Sequence, residues 1–413
     1  MKNFFIALIK KPIYIVFLII LIFYFPTGLS APPEGLDRQQ ISTIGIDQHE
    51  EGVEVSVLSY VSNQTEKYFK KYLLTSTTAE NIPNAFNKIG SITGRKVSLA
   101  HASVIVLGEE IAKQGAHNYL DFFYRNENLT DDTYLICTLG KAKDLLNFEK
   151  ERVNSTGFGL EEVSVFNSQN VYFTDNNIES FFKGYFSPVN ASVIALAELE
   201  ENSDVSQLAD TPQEESASEG SGQGQNEKNK TKRIKKINNL GIFKEGKFVG
   251  ALDENLMLGH NIINPLTKNI NFEIKNFSDE HFENANINFN IEFNNVKVMV
   301  NFENNKPVIH YSLFTGLTIE NIVSEKLNKN YFKNNINLLS DKLKNKIENQ
   351  LKKNFADLVV KLREYKTDVI GVYAEFNNRH YFKFKEWYEN LENKDEFLNF
   401  VEFRMNINPV LTT

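Results

Sequence analysis

The amino-acid pattern predicts a multi-domain α+β protein of mixed α/β character: an N-terminal α/β region, then an antiparallel sheet packed by a long helix. Three observations carry this prediction. Between residues 96 and 146, compact apolar runs alternate with segments of helical period, the strand–helix–strand–helix order of an α/β layer. Between 270 and 317, four runs alternate apolar and polar residues, as antiparallel strands with one buried face do. From 334 to 365, apolar residues recur every three or four positions, the stripe of an amphipathic helix. The expected division is a signal or anchor segment at 1–33, an α/β region at 34–199 (as one unit or two subdomains), a disordered linker insertion at 200–238, and a sheet-plus-helix domain at 239–413.

The chain opens with Lys2, Lys10 and Lys11, then an uncharged run from Pro12 to Pro33 that is most apolar from 13 to 25. A short positive region before an apolar core fits a secretory signal. The run is also about the length that spans a bilayer, although Pro26 and Gly28 weaken its far end. The lysines place the N-terminal side in the cytoplasm and the rest outside. Gly28 and Ser30 have the small-residue spacing that signal peptidase reads, which leaves cleavage before Ala31 open.

After the leader, 41–46 and 53–60 are apolar runs joined by a polar, Gly-containing connector, and they read as a hairpin. Residues 78–92 read as a helix with Ile82, Ala85, Phe86 and Ile89 on one face, Thr78 as its N-cap and Pro83 in an early turn. Val104 to Leu107 form a compact buried-strand signal, closed by Gly108. A helix follows over 109–125, with Gly115 as a break. Residues 133–139 are a strand, and a helix carrying Ala142, Leu145 and Leu146 begins after it. The pattern fades over 148–170; 176–185 then reads as a short helix and 191–199 as a strand.

Residues 200–238 are rich in Ser, Glu, Gln, Gly and Asn, then basic at Lys228, Lys230, Lys232, Arg233, Lys235 and Lys236. Such a stretch buries too little apolar area to offset its ordering entropy. A solvated loop is the favoured reading of the basic run, and contact with anionic headgroups is the other. Residues 240–252 read as a hairpin turning at Lys244-Glu-Gly-Lys247. The strands 287–293 and 296–302 are expected to turn at Asn294-Asn295. The stripe of the long helix is Ile336, Leu339, Leu343, Ile347, Leu351, Phe355, Leu358 and Leu362, expected to pack on the sheet just upstream, with a partner helix as the other reading. A polar stretch with the sole tryptophan, Trp387, leads to a final alternating strand at 400–408.

The net charge of −8 excludes a general nucleic-acid binder. The single cysteine, Cys137, excludes an intramolecular disulfide and reads as a buried strand residue without a redox role. No catalytic, cofactor-binding or metal-ligating residue is assigned, and no cofactor is expected. His49, His101, His117, His260, His281, His310 and His380 lack the paired spacing of a zinc site. There is no Gly-x-Ser-x-Gly elbow and no Walker loop, and 220–224 is no phosphate loop because no strand precedes it and no helix follows. Asp131-Asp132 reads as a turn pair, and His101, beside a strand, as structural.

Three stretches together resemble the Ger(x)C family, the C subunits of spore germinant receptors. The first is Ser98-Leu-Ala-His-Ala-Ser-Val-Ile-Val-Leu-Gly108 with Glu109-Glu-Ile-Ala-Lys-Gln-Gly115, Leu120-Asp-Phe-Phe-Tyr-Arg125 and Ala142-Lys-Asp-Leu-Leu146. The second, the most specific, is Gly241-Ile-Phe-Lys-Glu-Gly-Lys-Phe-Val-Gly250 with Leu252-Asp253. The third is the long helix closing on Asp368-Val-Ile-Gly371, then Trp387 and the final strand. Arg38, Ile41 and Ile44-Gly-Ile-Asp47 fit the family's N-terminal opening.

The resemblance implies three mixed α/β domains and a non-enzymatic subunit in spore germination. Such a subunit sits on the outer face of the spore inner membrane and acts with a multipass A-type subunit and a transporter-like B-type subunit. It transfers no binding residues. The chain departs from the family at Thr27-Gly-Leu-Ser-Ala31, where relatives carry a lipid-modified cysteine, and its 200–238 insertion is longer. A single lipid chain holds only marginally, whereas a spanning helix is effectively permanent, so 13–29 is expected to stay uncleaved and replace the lipid as anchor. The alternative function is an extracytoplasmic solute-binding protein, with a secreted hydrolase third.

Overall fold

The computed structural model describes residues 38–61, 71–130, 132–156, 160, 176–202, 232–265, 269–280, 282–327 and 339–412. The leader, most of the weakly patterned 148–170 stretch, His281 and the middle of the 200–238 segment lie outside the described residues. Two main sheets dominate, with helices packed against both, so the mixed α+β class expected from the sequence holds.

The first sheet contains β1 (Arg38–His49), β2 (Gly52–Val61), β3 (Lys71–Ala79), β4 (Lys96–Ser98), β5 (Val104–Leu107), β6 (Tyr134–Thr138), β7 (Ala191–Asn202), β8 (Lys232–Lys244) and β9 (Lys247–Leu252). Their order is β3-β2-β1-β5-β6-β7-β8-β9, with β4 beside the start of β1. The central pairs β1–β5, β5–β6 and β6–β7 are parallel, and antiparallel hairpins flank them on both sides. Parallel strands are buried on both faces, which explains why Val104 to Leu107 read as one apolar run. Ile105 and Leu107 face a core with helices α1 (Ile82–Thr93), α2 (Glu109–Tyr124) and α4 (Ile178–Tyr185), while Val104 and Val106 face α3 (Ala142–Thr156).

Several local expectations need correction. Strand β3 was not foreseen, because its Thr- and Ser-rich run has no clean alternation; Thr78 lies inside it. The cap of α1 is Asn81, whose side chain accepts from Asn84 N at 2.9 Å, a stronger start signal than Thr78. Gly115 does break α2, with φ 144, a conformation that favours glycine. The 200–238 segment is strand at both ends: Glu198 is in register with Lys236, Glu201 with Arg233 and Asn202 with Lys232. Ladder hydrogen bonds are made by the backbone, so a polar ribbon pairs without an apolar face. The β8–β9 hairpin, on the C-terminal side of the expected division at 238, pairs within the first sheet.

The second sheet is ordered β10-β12-β13-β15, from β10 (Ile270–Phe277), β12 (Ala285–Glu303), β13 (Lys306–Val323) and β15 (Glu402–Leu411). Short strands β11 (Phe282–Glu283) and β14 (Lys326–Leu327) pair separately. The expected turn at Asn294-Asn295 is absent, because β12 runs through it. The turn is ten residues later, where Asn304 (φ 49) and Asn305 (φ 63) are both left-handed, as the favoured two-residue hairpin requires. Asn294 is instead a buried polar anchor, accepting from Thr315 Oγ1 at 2.9 Å and donating to Ile262 O. The expected meander over 270–317 is antiparallel, and the sheet becomes mixed only where β15 pairs in parallel with β13. Helix direction before a strand sets that pairing, and alternation within β15 does not reveal it.

The long helix α6 (Asp341–Tyr365) starts at a Ser340 cap bonded to Leu343 N at 3.2 Å; the expected start at 334 falls in residues outside those described. The stripe from Leu339 to Leu362 packs on the second sheet, as expected, with Tyr311 and Phe355 edge to face at 5.2 Å between ring centroids, while Ile336 lies outside the described residues. Helix α5 (Glu254–Asn261) crosses α6 closely because Gly259 faces the Asn354 and Phe355 backbone, where a Cβ has no room. Helices α7 (Val372–Arg379) and α8 (Tyr381–Glu389) and a 3-10 turn (Lys394–Phe400) occupy the stretch read as polar. There Trp387 packs on Phe384 at 5.6 Å. Among the described residues, no helix is long and apolar enough to cross a membrane.

Candidate functional site

The residues of the motifs turn out to be scaffold. Asp47 and Asp368 are both buried, and each starts a helix with its two carboxylate oxygens. Asp47 accepts from Ala142 N at 2.7 Å and Lys143 N at 2.9 Å; Asp368 accepts from Val372 N at 3.0 Å and Tyr373 N at 2.7 Å. Burial pushes both carboxyls above their ordinary range, and the backbone donors oppose that shift. Gly108 packs directly against Asp47, where a Cβ has no space, and Gly371 (φ 75) supplies the left-handed residue before α7.

The Gly241–Gly250 motif has a different task. Leu240, Ile242 and Leu252 enter the core under the second sheet, while Phe243, Phe248 and Ala251 join the core of the first. One hairpin therefore belongs to two cores at once. Its turn is held by Ala116 N donating to Gly246 O at 2.7 Å and Glu245 N donating to Asn190 O at 2.7 Å. His117, stacked on Tyr185 at 4.6 Å, fills the space beside Gly246, and Gly250 lies flat against the Tyr365 ring. Lys244 reaches Asp395 at 2.7 Å and Val189 O at 3.1 Å, adding a polar link between the two cores.

This junction encloses a cleft of about 680 Å³. Its walls come from the end of α4 and the 184–193 segment, the end of α5, the middle of β12 and β13, and the 368–379 segment. Apolar side chains such as Val193, Ile263, Val296 and Val369 form most of the lining. Polar groups, among them Lys183, Ser192, His260, Asn264 and Arg379, share the lining. Tyr311, 2% exposed, lines the cleft, and its hydroxyl has no hydrogen-bond partner. Asp368 and Glu375, which also line the cleft, act electrostatically on that phenol and, with burial as the larger cause, hold it in the protonated form. His260 is buried, paired through Nδ1 with Asn261 Oδ1 at 3.1 Å, and burial lowers its pKa so that it is neutral at physiological pH. Glu375 pairs with Arg379 at 3.1 Å on the rim. A concavity that combines apolar surface with polar groups is suited to holding a small molecule.

The histidines stay apart. His49 accepts from Glu51 N at 3.3 Å, His380 Nε2 meets Val300 O at 2.9 Å, His101 sits exposed in a turn, and His310 lies on β13. Among the described residues, no group of three or more His, Cys, Asp or Glu side chains is placed to hold a metal. Asp132 is exposed; Asp131 lies outside the described residues. Cys137 is fully buried in β6, and burial pushes its thiol up to about 12. The cleft had no signal in the sequence, because its lining comes from four segments far apart along the chain. Of the two capping aspartates, Asp368 did carry one, an acidic residue just ahead of a helix start, whereas Asp47 lies in β1, far along the chain from the helix it caps.

Comparison with known proteins adds the following. Residues 36–199 match the spore germination protein N-terminal domain family, and residues 238–410 match the spore germination B3/GerAC-like C-terminal family. YfkR of Bacillus subtilis (strain 168), provisionally named as a spore germination protein, is 24% identical over 153 residues. That match covers 33% of this chain and 38% of YfkR, so it spans less than half of the relative's length. The crystal structure of the GerBC protein aligns with 90% of this chain and 97% of its own, at a TM-score of 0.49 and 20% identity.

Proposed function

Because the chain belongs to the Ger(x)C family of spore germination proteins, we propose that it is a non-enzymatic, membrane-anchored subunit of a nutrient-germinant receptor. The observation that carries this reading is the tandem match: two family domains, N-terminal then C-terminal, in order along one chain. Its partners in this reading are the multipass A-type and transporter-like B-type receptor subunits, together with membrane lipid around the N-terminal segment; nucleic acid is not among them. The domain arrangement we propose is a leader at 1–33, an α/β region at 34–199, an insertion at 200–238 and a C-terminal unit at 239–413. The β8–β9 hairpin then acts as the tie between the two larger units. The uncharged run at 13–29 serves as an uncleaved anchor that leaves the folded units on the extracytoplasmic face, at the spore inner membrane.

Deletion of the gene tests the role. Spores lacking it should lose the germination response to at least one nutrient, and the full chain should co-purify with multipass subunits from detergent-solubilised spore membranes. Normal germination in every nutrient, with no co-purifying membrane subunit, would sink the proposal.

A further inference from the structure

We propose that the cleft between the two cores is a binding site for a small uncharged polyol of about monosaccharide size, held by Tyr311, Glu375 and Tyr373. The first argument is the Tyr311 hydroxyl. It is buried and has no acceptor, and it belongs to a side chain that lines the cleft. A buried donor left unpaired is costly, and an oxygen of a bound molecule would satisfy it. The second is the mixture of partners on offer. Tyr311 donates, whereas the Glu375 carboxylate, which gives one contact to Arg379, has lone pairs left to accept. A ligand serving both needs groups that accept and donate, as hydroxyls do. The third is charge. Two carboxylates, Asp368 and Glu375, line the cleft and disfavour an anionic ligand; Arg379 and Lys183 line it too and disfavour a simple cation. A neutral ligand meets neither penalty. The fourth is surface: Val193, Ile263, Val296 and the Tyr373 ring supply apolar and aromatic area for the C–H faces of such a molecule. The volume of about 680 Å³ lies within the range of small-molecule sites.

This inference does not rest on the receptor-subunit reading, since binding is measured on the chain alone. The experiment is saturation-transfer NMR on the full chain in detergent, with glycerol, D-ribose, D-glucose and myo-inositol as probes. The variants are Tyr311→Phe and Ala374→Trp. Tyr311→Phe removes an unpartnered hydroxyl, so folding should be preserved, as checked by circular dichroism and thermal melting. Ala374 is exposed on α7 and lines the cleft, so a tryptophan there fills space without entering a core. The expected result is a saturable signal for at least one probe in the wild type, weakened about tenfold by loss of one hydrogen bond in Tyr311→Phe and abolished in Ala374→Trp. The proposal is overturned if no probe gives a saturable signal with the wild type, or if both folded variants bind as the wild type does.

Discussion

Replacing Asp368 with alanine isolates what the Asp-Val-Ile-Gly motif does. The carboxylate takes the Val372 and Tyr373 amides at 3.0 and 2.7 Å. Each buried amide left without an acceptor costs about 1–3 kcal/mol. Val372 is fully buried, but Tyr373 is half-buried and recovers part of its loss from water. Removing a carboxyl that burial disfavours gives a little back. The net expectation is about 2–4 kcal/mol, a large share of a domain's stability. Urea unfolding followed by Trp387 fluorescence is a suitable assay, because this sole tryptophan packs on Phe384 and Phe302 in the same core. Asp368→Asn, which keeps one carbonyl acceptor, should fall between wild type and alanine. The sign with pH is also fixed. A folded-state pKa raised above 3.8 means that the carboxyl's contribution is full below 3.8 and is lost as pH rises through the folded value. The cost of Asp368→Ala should therefore shrink as pH climbs across that window. A Trp387 midpoint moved by less than about 0.5 kcal/mol, the range of neutral surface changes, would refute the capping role; a cost that grows with pH would refute the direction of the shift.

Three further outcomes are expected. Cys137, with its thiol pushed up to about 12, should resist alkylation at pH 8 in the native protein and react only at the rate of unfolding; fast native labelling would contradict its burial. Gly250→Val should destabilise by about 1–3 kcal/mol through collision with the Tyr365 ring, and Tyr365→Ala should rescue part of that loss in a thermal-melt double-mutant cycle; strict additivity would argue against the contact. Mass spectrometry of the native N-terminus should find residues 13–29 retained, and a protein beginning at Ala31 free in the medium would exclude the anchor.

Local pattern carried most of the elements and little of their arrangement. The β5 run and the α6 stripe were legible because burial on two faces, or on one helical face, imprints composition directly. Asn-Asn pairs misled, because the same dipeptide occurs at 294 and 304 and only the backbone at 304–305 is left-handed. Strand β3 was invisible because its half-buried Thr and Ser positions leave no alternation. The place of the β8–β9 hairpin in the first sheet depends on partners outside its own sequence, and so does the parallel pairing of β15. The cleft was hidden for the same reason: Ser192, His260, Tyr311 and Asp368 meet only after both cores have formed.

The parallel pairing of β13 with β15 also has a consequence for biosynthesis. As the chain emerges from the ribosome, β10, β12 and β13 can zip together by short connections, but the far edge of β13 must wait for 402–411. Until then a long, partly apolar ladder of amides and carbonyls stays open, with α6, α7 and α8 still to be made. Open strand edges are templates for association, and pairings across long separations close slowly. The interval between those two strands is therefore the period in which nascent copies are most exposed to one another. Chaperone demand, and sensitivity of yield to expression rate, should concentrate in that window.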